Sequence, residues 1–142
     1  MFSRLPVALT LMALCVAIHA AGVTWALQRL RDRPKVARGF WTSTRLFVFV
    51  STWIVLLHLA EISLWAGFYV WRNAMPDLAA ALYFSAVTYT TTGYGDVVLD
   101  QGWRLLGAVE ALTGILMCGW STGFFFAIVN RLYQEGPEKG RR

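Results

Sequence analysis

The apolar residues of this chain gather into three long runs that are separated by short polar segments. Runs over residues 5–27, 46–72 and 103–133 are each long enough to cross a bilayer core, which takes about 20 residues in a helix. A fourth run over residues 77–90 lies between the last two and is too short to cross. The pattern predicts an all-α membrane protein with three transmembrane helices and one re-entrant helix, which must be buried in protein.

The first apolar run has two interpretations. Arg4 before it and the Ala20-Ala21 pair within it fit a secretory signal peptide. The run is longer than such a peptide needs, and His19 would occupy a cleavage position that takes small residues. We therefore expect residues 1–28 to form a retained N-terminal transmembrane helix.

Basic residues mark the polar segments. The predicted loop over residues 29–45 holds one acid, Asp32, and these basic residues: Arg29, Arg31, Arg33, Lys35, Arg38 and Arg45. A short basic loop stays in the cytoplasm, so we expect the N-terminus outside and the tail over residues 134–142 in the cytoplasm. This topology explains the net charge of +5 without a nucleic-acid partner.

The rest of the composition argues against other classes of function. With 57% hydrophobic residues, the chain is too apolar for a soluble domain of 142 residues. Cys15 and Cys118 lie inside apolar runs, which favours buried thiols over a disulfide. The sequence has no Cys/His metal spacing, no phosphate loop and no nucleophile with a base. We expect no enzymatic activity and no organic cofactor, with the lipid bilayer as the surroundings.

One short segment, residues 91–96, contains the most informative chemistry. Its sequence is Thr-Thr-Gly-Tyr-Gly-Asp, with glycine at alternate positions. Glycine adopts backbone angles that a side chain forbids, so this segment can point successive carbonyls the same way, whereas a strand alternates them. A row of carbonyls, together with the Thr91 hydroxyl, can replace the water around a dehydrated cation.

This hexapeptide, placed between a short apolar helix and a last span, resembles the filter signature of the tetrameric potassium channels. Thr92 stands where many members have Val or Ile. The resemblance covers a pore domain over about residues 46–133 and leaves the N-terminal helix outside it. Within that domain it implies an outer helix, a pore helix, a filter and an inner helix at residues 46–72, 77–90, 91–96 and 103–133.

The resemblance, which is to the bacterial-like two-helix type, implies a homotetramer in a bacterial inner membrane. K⁺, the permeant ion, would be coordinated by the following filter residues: Thr91, Thr92, Gly93, Tyr94 and Gly95. Tyr83 stands where the family often has a Trp that bonds the Asp after the filter, so a Tyr83–Asp96 hydrogen bond is expected. The alternative is that Tyr83 has only a packing role and that Asp96 only places a negative charge at the pore mouth. Val87 replaces a Glu of some bacterial members, so behaviour tied to that carboxyl does not carry over.

Gly114 in the last span matches the hinge glycine of the family. A glycine inside a helix costs about 1 kcal/mol against alanine, and either a hinge or close helix packing would explain it. With Gly114 as the hinge, helical spacing predicts one cavity-lining face: Ile115, Cys118, Thr122 and Phe126. The phenylalanines at 124–126 would either gate the pore by dewetting or pack against lipid.

Ionisable residues also lie within the predicted spans, where a charge is costly unless it faces protein or water. His58 and Glu61 are one helical turn apart, and His19 lies at a comparable depth in the first span. We expect Glu61 to pair with one of the histidines and to hold the first span against the second. The alternative is a protonated Glu61 bonded to a neighbouring backbone. Glu110 is expected to face the pore helix, and the sequence suggests no partner for it.

The sequence thus predicts a homotetrameric, K⁺-selective channel, and an unidentified regulatory partner remains open. The intact Gly-Tyr-Gly sequence argues against a non-selective cation channel of the same fold. A non-conducting channel-like subunit is the third interpretation. One filter per chain means that four chains are needed for one pore.

Overall fold

The computed structural model describes residues 4–31 and 39–134, with side chains for residues 4–30 and 39–130. The described chain folds into these helices: α1 (Leu5–Arg31), α2 (Phe40–Trp71), α3 (Leu78–Tyr89) and α4 (Arg104–Gln134). α1, α2 and α4 are long and apolar enough to cross a membrane, whereas α3 is a shorter apolar helix. The prediction of an all-α membrane fold is confirmed.

The loop between the first two spans is shorter than the sequence pattern indicates. α1 continues to Arg31 and α2 begins at Phe40, so the prediction of a loop over residues 29–45 is wrong at both ends. Arginine is a good helix former, which suits the continuation of α1 past its apolar residues to Arg31. The central part of that loop, residues 32–38, and residues 135–142 of the predicted tail lie outside the described residues.

The short helix α3 has a defined start. Asp77 is its N-cap, and the Asp77 carboxylate accepts a hydrogen bond of 2.8 Å from the backbone N–H of Ala80. This bond satisfies one of the free N–H groups of the first turn, and the negative charge suits the positive end of the helix. Thr90 is the C-cap, so the predicted range of 77–90 includes both capping residues.

Two apolar clusters hold the helices together. The first packs α3 against the other helices and includes the fully buried Trp65, Tyr69 and Leu106. The second joins α1, α2 and α4 through Ala26, Val50, Phe124 and Ile128. Along each long helix, buried polar residues lie between these two clusters, and this position determines which helices they can reach.

α1 packs closely against both α2 and α4. A Cβ atom at Gly22 would lie 2.3 Å from Leu57, so glycine permits the close approach of α1 to α2. Trp53 donates a hydrogen bond of 3.0 Å to the Gly22 carbonyl at the same contact. At the start of α1, Arg4 donates a hydrogen bond of 3.2 Å to the Gly102 carbonyl and stacks 3.5 Å over the Trp103 ring. The first span is therefore packed into the bundle along its length.

Candidate functional site

The segment over residues 91–96 follows the end of α3 as irregular backbone, and all of its residues are exposed in the single chain. Gly93 and Gly95 have φ angles of +52° and +78°. A Cβ atom at either glycine would meet nothing within 4 Å, so backbone conformation and not space requires glycine here. The two residues flank Tyr94, and this alternation is what turns successive carbonyls away from a strand-like pattern.

The same segment is anchored to the end of α3 by backbone hydrogen bonds. The N–H of Gly93 donates to the Val87 carbonyl at 2.9 Å, and the N–H of Thr91 donates to the Thr88 carbonyl at 2.9 Å. Thr91 itself has a φ of +59°, an uncommon conformation for a β-branched residue that costs about 1–2 kcal/mol. The surrounding fold holds this conformation, which is typical of functional segments.

The side chain of Asp96, after the second glycine, accepts a hydrogen bond of 2.7 Å from the Tyr83 hydroxyl. The Tyr83 hydroxyl also lowers the pKa of Asp96, because it stabilises the carboxylate. Both side chains are exposed, so the bond links the outer surface of α3 to the end of the segment. The expected contact is present, and its effect on the filter stays a prediction.

Gly114 lies against the end of α3. A Cβ atom at Gly114 would lie 1.8 Å from the Tyr89 carbonyl oxygen, a backbone atom that has no room to move aside. Close packing of α4 on α3 therefore accounts for this glycine in the structure, and its role as a hinge stays a prediction. Ile115, Cys118, Thr122 and Phe126 are all exposed, as residues facing a shared cavity would be in a single chain.

The three phenylalanines near the end of α4 differ in their surroundings. Phe124 is buried in the second apolar cluster, and Phe125 packs against it partly buried. Phe126 is 63% exposed. Of the three, Phe126 is thus the one that is free to face a pore or lipid.

A buried polar cluster lies between the apolar clusters and joins all four helices. We call its members, His19, His58, Glu61, Tyr89 and Ser121, the polar ring. Glu61 is hydrogen-bonded through one oxygen to His19 Nδ1 at 2.8 Å and through the other to the Tyr89 hydroxyl. Tyr89 contacts His58 Nδ1 at 3.0 Å, and Ser121 Oγ lies 3.1 Å from Nε2 of both histidines.

The sequence identified the two histidines and Glu61 of this ring but not Tyr89 or Ser121. A tyrosine on an apolar helix and a serine on a span are both common, so no local signal separated these two residues from their neighbours. Glu61 contacts both histidines and not one alone, since His58 Nδ1 also lies 3.7 Å from Oε2 of Glu61. The polar ring connects α1 to α2, α3 and α4 at one point.

Glu110 has a partner that the sequence did not suggest. Its Oε2 accepts a hydrogen bond of 2.8 Å from the Tyr69 hydroxyl of α2, and both side chains are fully buried. This bond gives α4 a polar contact with α2 within the first apolar cluster. An ionisable side chain at membrane depth is thereby kept away from lipid, as its cost requires.

Comparison with known proteins agrees with this architecture. A family model described as "Ion channel" matches residues 44–131, which extend from the first turns of α2 to near the end of α4. The match includes α3 and the segment over residues 91–96 and leaves α1 outside. No curated protein and no solved structure matches the chain.

Proposed function

Because the chain belongs to the ion channel family whose model matches α2 to α4, we propose that four copies of it form a K⁺-selective channel. Ion conduction is a transport function and needs no enzymatic chemistry. The observation that carries the proposal is the positive φ of Gly93 and Gly95 on either side of Tyr94. Backbone of this kind directs carbonyl oxygens toward a common axis, where they replace the hydration shell of K⁺.

Each chain would contribute one wall of the filter. The carbonyls of Thr92, Gly93 and Tyr94, with the carbonyl and hydroxyl of Thr91, would coordinate dehydrated K⁺, and Gly95 would complete the outer end. Asp96 would add negative charge at the mouth and raise the local cation concentration. Ions would pass in single file, each displacing the next.

The exposure of the filter supports an assembly of several chains. Irregular backbone at membrane depth is tolerated only where protein buries it or where it lines a polar cavity. In the single chain the filter residues are exposed, and so is a set of large apolar residues on α4: Leu112, Ile115, Leu116, Trp120 and Phe126. Four chains around an axis would cover part of this surface and leave Ile115, Cys118, Thr122 and Phe126 facing the cavity.

The charge distribution supports one orientation in the membrane. Arg29 and Arg31 lie at the end of α1, and Arg45 lies in the first turns of α2. Positive residues next to spans stay in the cytoplasm, so the loop between α1 and α2 would be cytoplasmic. The N-terminus and the filter mouth would then face outward, in a bacterial inner membrane as the resemblance implies.

The test is K⁺ and Na⁺ flux into liposomes that contain only this purified protein, with the subunit number measured on the same sample. We expect K⁺ flux well above Na⁺ flux from a tetramer, and we expect Gly93→Asp to abolish it. Equal K⁺ and Na⁺ flux would support a non-selective cation channel. A tetramer that passes neither ion would support a non-conducting subunit.

A further inference from the structure

The polar ring contains five hydrogen-bonded contacts in a closed circuit, and each contact needs one proton. With ionised Glu61, the hydroxyls of Tyr89 and Ser121 supply two protons, and the two neutral imidazoles supply one each. Four protons cannot serve five contacts. Glu61 accepts from His19 Nδ1 and from Tyr89, and Tyr89 accepts from His58 Nδ1. Both Nε2 atoms are then bare, and the single Ser121 proton can reach only one of them.

A fifth proton completes the circuit and leaves no net charge. It can sit on one histidine, which makes an imidazolium that balances the Glu61 carboxylate. It can instead sit on Glu61, and every group then donates to its neighbour in one direction around the circuit with no formal charge. A buried polar atom without a partner and a buried unbalanced charge are both costly in a low dielectric, so the site favours five protons over four.

The surroundings offer no other positive charge. Residues 5–28, 46–71 and 105–130 contain no Lys or Arg, so within the spans only a proton can balance Glu61. Among the described residues, the titratable side chains near Glu61 beyond the ring are Cys15 on α1 and Cys118 on α4, and Glu110 lies near Cys15. None of these three is a cation in any protonation state.

We infer that the polar ring is a binding site for one proton. This proton couples the docking of α1 to the position of the end of α3. Tyr89 is the last residue of α3, and its carbonyl contacts Gly114 of α4. Loss of the fifth proton leaves a net negative charge between the four helices and one unbonded Nε2 at Ser121. Resting on the proposed channel function, the inference extends to regulation, because the proposed filter begins two residues after Tyr89 and would respond to the same proton.

A metal ion is the competing occupant, because two histidines and a carboxylate are a ligand set that zinc uses. The distance between His19 Nδ1 and Glu61 Oε1 is 2.8 Å, as in a hydrogen bond. Two ligand atoms of a tetrahedral zinc site are about 3.3 Å apart, given bonds of about 2.0–2.1 Å. The observed spacing therefore fits a shared proton better than a shared metal.

The two ring histidines are the only histidines in the chain, so a ¹⁵N-imidazole label reports on this site alone. The experiment is a pH titration of the labelled protein in liposomes, followed by solid-state NMR. At high pH we expect both histidines with protonated Nδ1 and bare Nε2. On lowering the pH, one Nε2 should gain a proton and both histidines should change at one shared midpoint, because coupled groups titrate as a unit. Separate midpoints for the two histidines, or no change in either, would overturn the inference.

Glu61→Gln provides the sharpest variant. The glutamine amide donates one hydrogen bond and accepts another, so it supplies the fifth proton permanently. We expect opposite tautomers for the two histidines from high pH down through the parent midpoint, and no shared titration step at that midpoint. Ser63→Ala is the matched control on α2, since the Ser63 hydroxyl bonds only to the Leu59 carbonyl of its own helix. This control should keep the parent midpoint, and a Glu61→Gln protein that also kept it would contradict the inference.

Two further measurements, the addition of Zn²⁺ and the K⁺ flux as a function of pH, separate the remaining outcomes. Zn²⁺ that shifts both histidine signals in the unmutated protein and displaces a proton would assign the ring to a metal and overturn the proton site. K⁺ flux should change at least about fivefold across the NMR midpoint and lose this dependence in Glu61→Gln. Constant flux across a ring that titrates would overturn the regulatory role. A ring that titrates in a protein without any K⁺ flux would contradict the proposed function and support the proton site.

Discussion

The filter segment and the polar ring are assembled in opposite ways. The proposed filter consists of consecutive residues, 91–96, is exposed in the single chain and would act only when several chains meet. The polar ring draws its five residues from all four helices, two of them from α2, is almost fully buried and is complete within one chain. Variants of the filter should therefore change a property of the assembly, whereas variants of the ring should change the subunit itself.

The largest expected effect comes from Gly95→Ala. An L-residue in the left-handed region costs about 1–2 kcal/mol, and the cost would be repeated in each of four chains. We expect K⁺ flux to fall by more than about tenfold while the subunit remains folded. The measurement is flux into liposomes together with the helical circular dichroism signal.

Gly67→Ala is the matched control for Gly95→Ala. Gly67 lies within α2, and a Cβ atom there would meet nothing within 4 Å. Alanine is the better helix former, so flux should be unchanged. Equal losses of K⁺ flux in Gly95→Ala and Gly67→Ala would show that the backbone conformation at Gly95 is not the cause of the loss.

Gly114→Ala should destabilise the subunit more than it changes selectivity. The added Cβ would collide with the Tyr89 carbonyl, and overpacking of this kind costs about 1–3 kcal/mol. Thermal unfolding in detergent should show a lowered midpoint, whereas Gly119→Ala, with open space around it, should not. A Gly114→Ala protein of unchanged stability with altered gating would favour the hinge interpretation.

Ser121→Ala should break the polar ring at the point where two histidines meet. Removing the hydroxyl leaves both Nε2 atoms without a partner, which costs about 1–3 kcal/mol. Thermal unfolding near neutral pH measures this loss. Ser63→Ala removes a hydroxyl that bonds only its own helix, and it should stay within about 0.5 kcal/mol of the parent. If the two serine variants unfold alike, the ring adds nothing to stability.

Tyr83→Phe should have the smallest effect, because both partners of its hydrogen bond to Asp96 are exposed. The Tyr83 hydroxyl lowers the pKa of Asp96, so the bond contributes fully above the unfolded-state value of about 3.9. The contribution is lost as the pH falls through the lowered folded-state pKa. Sustained K⁺ flux at pH 7 should therefore decay faster in Tyr83→Phe than in the parent, with a smaller difference near pH 3. Identical decay at both pH values would show that the bond does not support the filter.

Several site residues could be predicted from the sequence because they lie at fixed positions around a segment that resembles a known family signature. Tyr83 and Asp96 were paired through that resemblance, and the structure contains the bond. The sequence did not decide whether Gly114 is a hinge or allows close packing, since a glycine in a helix indicates only that a side chain is disfavoured at that position. The Tyr89 carbonyl that contacts Gly114 belongs to another helix, and no spacing within α4 indicates it.

The sequence by itself determined the spans, the short helix between them and the glycine-containing segment over residues 91–96. Bilayer thickness converts apolar length directly into a crossing helix, and alternate glycines permit the filter backbone whatever surrounds it. Tertiary structure alone decided the partners inside the bundle: Tyr69 for Glu110, and Tyr89 and Ser121 for Glu61 and the histidines. Those contacts depend on the rotation and depth at which four helices pack, and helix packing is set by side-chain shape across the whole interface and not by any one residue.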